Sequence, residues 1–78
     1  MADRRLQVFS TVARLLSFTK AAEALHMTQP AVTFQIRQLE DYFNTRLFDR
    51  THNRISLTTA GHLVKDYSGQ IISLYSEM

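Results

Sequence analysis

Thr28, Gln29, Pro30, Thr33, Phe34, Arg37 and Gln38 fall in one short stretch, and their chemistry is that of contacting a nucleic acid. A Gln carboxamide bonds an adenine edge at two points, and a Thr methyl packs on a thymine methyl. Arg37 suits a phosphate, as do the free backbone N–H groups where a helix begins. A second group, Arg46, Arg50 and Arg54 with His52 and Asn53 between them, suits phosphate or minor-groove contact. Blander readings stay open. Gln, Thr and Arg are also what a solvated helix face carries. Phe34, a large aromatic on a polar face, wants a partner surface. That surface is either a sugar or thymine methyl or a neighbouring element of the same chain. Arg50 equally suits a surface ion pair with Glu40, Asp41 or Asp49, which would carry little energetic weight.

Other chemistries find no foothold. His26, His52 and His62 are scattered, none at metal spacing from a carboxylate, and there is no Cys to build a zinc site or a disulfide. Gly61 and Gly69 are the only glycines, so no phosphate-cradling loop exists. Catalytic, metal and cofactor sites are therefore not expected. The 78 residues, 45% hydrophobic and 10% aromatic, fit one small globular domain. No apolar run approaches the roughly 20 residues of a membrane span, and no secretory leader is present. Both absences, like the lack of Cys, fit a cytoplasmic protein. A formal net charge of +2 is too small to name a partner by itself, so the placement of the arginines carries the argument.

Helices and a hairpin must position the two groups. Leu6, Phe9, Val12, Ala13 and Leu16, widened by Val8 and Leu15, recur at helical spacing and predict a first helix over 3–16. Thr19 is the expected N-cap of a short second helix over 19–26, whose alanines permit close helix approach. Thr28 caps a third helix, with Pro30 in its first turn, where a missing N–H is harmless. Val32, Ile36, Leu39 and Phe43 form its buried face. At about 100° per residue, Pro30, Thr33, Phe34, Arg37 and Gln38 project away from that face. Asn44, tolerant of left-handed backbone, ends the helix. The period then changes, and 47–50 and 54–57 predict a small hairpin around a turn at 51–53. Two helices joined by a short turn, the second followed by a basic hairpin, make a winged helix-turn-helix, a mainly α fold.

Thr58 or Thr59 begins a last helix that continues to residue 78. Its stripe, Ala60, Leu63, Val64, Tyr67, Ile71, Leu74, Tyr75 and Met78, is more than a small body covers, since about 20 helical residues span roughly 30 Å. The beginning of the stripe packs on the domain. The remainder, with Leu63, Val64, Tyr67, Ile71, Leu74, Tyr75 and Met78 as candidate contacts, is expected to pair with a second copy. The alternative is that the stripe packs on its own first helix alone. Gly69 falls on the polar side.

These stretches together resemble the LysR-type transcriptional regulators. The likeness rests on Phe18-Thr19-Lys20-Ala21-Ala22-Glu23-Ala24-Leu25, Thr28-Gln29-Pro30-Ala31-Val32-Thr33, Gln38-Leu39-Glu40, Arg46-Leu47-Phe48-Asp49-Arg50 and Leu57-Thr58-Thr59-Ala60-Gly61, in order and spacing over nearly the whole chain. The resemblance implies a winged helix-turn-helix over 1–58 and a linker helix over 59–78 that pairs antiparallel in a homodimer. It implies double-stranded DNA as partner, the third helix in the major groove and the wing near the minor groove of an inverted repeat. It makes Gln29, Pro30 and Thr33 base-facing and places Arg54 where the wing meets the groove. Family members usually continue into a C-terminal domain for a small-molecule effector, which these 78 residues lack. Phe34 departs from a pattern that often has Arg or another polar residue there, and Asn44 stands where Gly is common. The competing expectation is a helical protein-interaction module, which leaves the basic hairpin and the Thr-Gln-Pro helix start unexplained.

Overall fold

The computed structural model describes residues 4–51 and 54–76, without the side chains of 71–73, 75 and 76. In chain order it contains α1 (Arg4–Leu15), α2 (Phe18–Leu25), α3 (Gln29–Phe43), β1 (Phe48–Thr51), β2 (Arg54–Leu57) and α4 (Thr59–Ser76). The core is α1's Leu6, Val8, Phe9, Val12 and Ala13 set against Ala21 and Ala22 of α2, Val32, Ile36 and Leu39 of α3, and Leu47 and Phe48. Burying each large apolar side chain contributes about 1.5–3 kcal/mol. The two buried alanines hold α2 close against its neighbours, because a methyl group adds little width to a helix.

Local signals set most of the helix ends. Thr28 Oγ1 accepts from the Ala31 N–H at 3.2 Å, and Thr58 Oγ1 accepts from the Gly61 N–H at 3.0 Å. Asn44 closes α3 with φ 54°, and His26 closes α2 with φ 55°. In each case the next residue's N–H reaches back across the last turn: Met27 to the Ala22 carbonyl at 2.9 Å, and Thr45 to the Glu40 carbonyl at 3.0 Å. These pairs satisfy carbonyls that a helix end leaves open.

Three expectations need correction. The cap of α2 is Ser17, not Thr19: extended backbone at Ser17 lets its hydroxyl accept from the Lys20 N–H at 3.1 Å. Leu16 does not extend the buried stripe of α1. The helix stops at Leu15, and Leu16 turns into the left-handed region (φ 49°), which carries its side chain outward to 47% exposure. Phe43, at the last turn of α3, does not extend the buried face of that helix: it is 39% exposed and meets Tyr42 edge-on at 5.1 Å.

The hairpin begins one residue later than expected, with Phe48 opposite Leu57, Arg50 opposite Ile55 and Thr51 opposite Arg54. Strand alternation therefore puts Phe48, Arg50, Ile55 and Leu57 on the body-facing side. Leu47, just before β1, is fully buried and fixes the base of the hairpin. Its N–H donates to Glu40 Oε2 at 2.8 Å, its carbonyl accepts from the Thr58 N–H at 3.0 Å, and Thr58 Oγ1 donates to the Arg46 carbonyl at 2.7 Å. The hairpin is thus tied to α3 at one side and to α4 at the other.

The stripe of α4 divides. Ala60, Gly61, Val64 and Ser68 turn inward, and Ser68 is 1% exposed with its hydroxyl satisfied by the Lys65 carbonyl at 3.1 Å. Leu63, Tyr67 and Leu74, about a quarter turn away by helical projection, are exposed.

Candidate nucleic-acid interface

Three residues, His26, Met27 and Thr28, separate α2 from α3, so α3 crosses α2 with its first turn free. Gln29, Pro30, Phe34 and Arg37 are exposed there and Thr33 is half-buried. The Gln29 carboxamide is not loose: its Nε2 donates to Thr33 Oγ1 at 3.1 Å, one turn along. The other Nε2 proton and Oε1 remain available for a two-point contact. Phe34 is 60% exposed, so it tucks neither under α2 nor under the hairpin. The ring is thus open to solvent on the polar side of the helix, and the tucked alternative is excluded.

The hairpin flanks this helix. An open groove of about 730 Å³ is lined by Leu16, Ser17, Phe18, Thr19, Gln29, Arg50, Arg54 and Ile55. A smaller cleft of about 190 Å³ brings Thr33, Arg37, Arg46 and Arg50 together with Phe18, Phe48 and Glu40. Four of the nine lysines and arginines thus surround the first turns of α3. The small net charge conceals this concentration. The one carboxylate in the smaller cleft, Glu40, is engaged by the Leu47 N–H. Arg46 reaches the Phe48 carbonyl at 3.4 Å. Arg50 pairs with none of Glu40, Asp41 and Asp49, the alternative partners the sequence offered; its guanidinium carbon lies 4.5 Å above the centre of the Phe18 ring.

Most of the predicted contact residues thus converge. Thr28, Gln29, Pro30, Thr33, Phe34 and Arg37 share one end of α3, and Arg50 and Arg54 stand beside them. His52 and Asn53 lie outside the described residues. So do Met78 and the side chains of Ile71 and Tyr75. Among the remaining candidates for pairing, Leu63, Tyr67 and Leu74 are exposed, while Val64 packs against the core. Sequence reasoning missed Phe18 beneath Arg50, Glu40 on the Leu47 N–H, and Gly61 at the α4–Leu47 approach. All three join different elements of the fold, and no spacing pattern signals them.

A helix pair with a three-residue turn, an outward second helix and a two-stranded hairpin carried beside it defines a winged helix-turn-helix protein. Residues 4–62 match the family described as bacterial regulatory helix-turn-helix protein, lysR family, and the chain belongs to that family. It is 49% identical over 75 residues to a RuBisCO operon transcriptional regulator of Allochromatium vinosum, covering 96% of this chain and 25% of that protein. It is 45% identical over 69 residues to the HTH-type transcriptional regulator CfxR of Cupriavidus necator, covering 88% of this chain and 22% of that protein. The chain therefore spans about a quarter of the length of these curated relatives. Among solved structures it resembles the BenM DNA-binding domain in complex with catB site 1 DNA, with a TM-score of 0.92 and 33% identity over 96% of this chain and 83% of that one. It also resembles the CbnR DNA-binding domain in complex with DNA, with a TM-score of 0.89 and 35% identity over 95% of this chain and 85% of that one.

Proposed function

We propose that this chain is the sequence-specific DNA-binding part of a LysR-type transcription regulator, and not an enzyme. The exposed first turns of α3 carry the reading: Gln29, Pro30 and Phe34 are exposed on a supported helix with Thr33 half-buried beside them, and arginines stand on the flanking elements. In this reading α3 enters the major groove. Gln29 and Thr33 contact base edges, and Pro30 and Phe34 pack on methyl groups and sugars. Thr28, at the start of α3, Arg37 and Arg50 take phosphates, and Arg54 with the adjacent residues His52 and Asn53 approaches the neighbouring minor groove. That two solved relatives are DNA-binding domains in complex with DNA supports the DNA-binding reading. That the curated relatives are named transcriptional regulators supports a role without catalysis.

Residues 1–58 are then the DNA-binding unit and 59–78 a linker helix that pairs two copies. Leu63, Tyr67 and Leu74 form the exposed part of that contact. Ile71, Tyr75 and Met78 continue the same stripe in the sequence. A pair of α3 helices related by a two-fold axis reads an inverted repeat. An effector would act through a further domain, and the site of action is the bacterial cytoplasm. Selection of binding sites from a random duplex pool at near-physiological salt tests this reading. Enrichment of an inverted repeat is the expected result. Retention that is neither selective nor salt-sensitive would overturn it and favour the protein-interaction module, because DNA contact releases counterions and weakens steeply with salt.

A further inference from the structure

We propose that Phe18 is a positioning residue for Arg50: its ring is a fixed platform that holds the guanidinium between the hairpin and α3, ready for a DNA phosphate. The inference rests on the reading of this face as the DNA-binding surface, and it assigns a role to a residue of α2 that touches no base.

The platform is rigid because it is the end of an aromatic chain that starts in the core. Phe9 is fully buried, and Phe48 lies tilted against it with ring centres 5.3 Å apart. Phe18 stands edge-on to Phe48 at 5.8 Å and 67°. It is the first residue of α2, directly after the Ser17 cap, so its backbone is held as well. Arg50 reaches the ring because strand alternation puts it on the same side of β1 as the buried Phe48.

Among the described residues the cation pairs with no carboxylate. Glu40 Oε2 accepts from the Leu47 N–H, and Asp49 points to the opposite side of the strand. Arg37, Arg46 and Arg54 line the same two clefts, so repulsion would disperse an untethered Arg50. A ring face attracts a guanidinium through its quadrupole without neutralising it. A ring contact with the guanidinium carbon takes up no donor in the way a carboxylate would, so the N–H groups stay available to grip a phosphate at two points. The ring therefore removes the rotamer freedom that a long side chain otherwise loses when it binds.

The test is a double-mutant cycle on binding to a fluorescein-labelled mixed-sequence duplex, followed by anisotropy across a salt series. Phe18→Leu is expected to weaken binding by about two- to tenfold, the range set by immobilising one long side chain. Phe18→Tyr, which keeps the ring, restores it. In an Arg50→Ala background, Phe18→Leu costs nothing further. Equal losses in both backgrounds overturn the proposal, since Phe18 would then act by packing alone. So does failure of Phe18→Tyr to rescue.

A measurement on the free wild-type protein keeps the proposal open to refutation if Phe18→Leu does not fold. The δ-methylene protons of Arg50 should be shifted upfield by the ring current, and random-coil positions overturn the contact. A shifted Arg50 in a wild-type protein that does not bind the duplex separates the two claims: the contact stands, while the DNA reading and the role assigned to Phe18 both fall.

Discussion

The same substitution, Gly to Ala, should have opposite effects at the two glycines of α4. A Cβ added at Gly61 would collide with the Leu47 carbonyl oxygen and stand 2.9 Å from Leu57 Cδ2 and 3.2 Å from the Leu47 carbonyl carbon. Leu57 Cδ2 is the end of a side chain and can rotate away, but the Leu47 carbonyl is backbone. It is fixed by the Thr58 N–H and, through the neighbouring Arg46 carbonyl, by Thr58 Oγ1. Relief requires α4 to move off the hairpin base, which strains or breaks both bonds. Overpacking typically costs about 1–3 kcal/mol, and each broken hydrogen bond roughly 0.5–1.5 kcal/mol. The better helix propensity of Ala returns about 1 kcal/mol. The net expectation for Gly61→Ala is a destabilisation of about 1–5 kcal/mol, and its midpoint of about 3 kcal/mol lowers Tm by roughly 12–24 °C in a domain of this size. At Gly69 a Cβ meets no atom within 4 Å, so only the propensity remains. Gly69→Ala should stabilise by up to about 1 kcal/mol. Urea and thermal unfolding of the two variants beside the parent chain decide the matter. A Gly61→Ala protein as stable as the parent refutes the close approach of α4 to Leu47.

Ser17→Ala should cost about 1 kcal/mol by removing the cap of α2, whereas Thr19→Ala should leave the unfolding midpoint almost unchanged; the reverse order would reinstate Thr19 as the cap. Arg54→Ala should weaken binding to every duplex, and the salt slope should become shallower by about 0.9 for each phosphate the arginine neutralises. Gln29→Ala should relax discrimination at one base pair by about 1–3 kcal/mol, and equal losses on matched and mismatched sites would remove it from base reading. Leu74, 62% exposed, contributes little to the single chain. Leu74→Asp should therefore leave the fold intact and give monomer in sedimentation; an unchanged profile would exclude the α4 contact.

Much of this protein is legible one short window at a time. The apolar spacing of Leu6, Phe9 and Val12, and of Val32, Ile36 and Leu39, determines two helices and their buried faces. Thr28, Thr58 and Asn44 mark helix ends through bonds or backbone angles that involve only nearby residues. The outward position of Gln29, Pro30, Phe34 and Arg37 follows from the same periodicity, since whatever lies opposite a buried stripe is exposed. Windows fail where two local solutions have similar energy. Ser17 and Thr19 are both competent caps, and the left-handed turn at Leu16 chose between them by setting where α2 begins.

What tertiary structure alone decided are the encounters between windows. Nothing near Arg50 in the chain indicates that its partner is the ring of Phe18 rather than Glu40, Asp41 or Asp49. Gly61 in the sequence is one glycine of two, and the Leu47 carbonyl against it exists only once the hairpin base is folded onto α4. The apolar stripe of α4 was readable as a stripe, but its division into an inward line through Val64 and Ser68 and an outward line through Leu63, Tyr67 and Leu74 depends on where α1 lies. The physical reason is common to all three. Periodicity and capping are set by torsions and hydrogen bonds within a turn or two, whereas a cation, a ring or a carbonyl finds its partner only after the helices have packed.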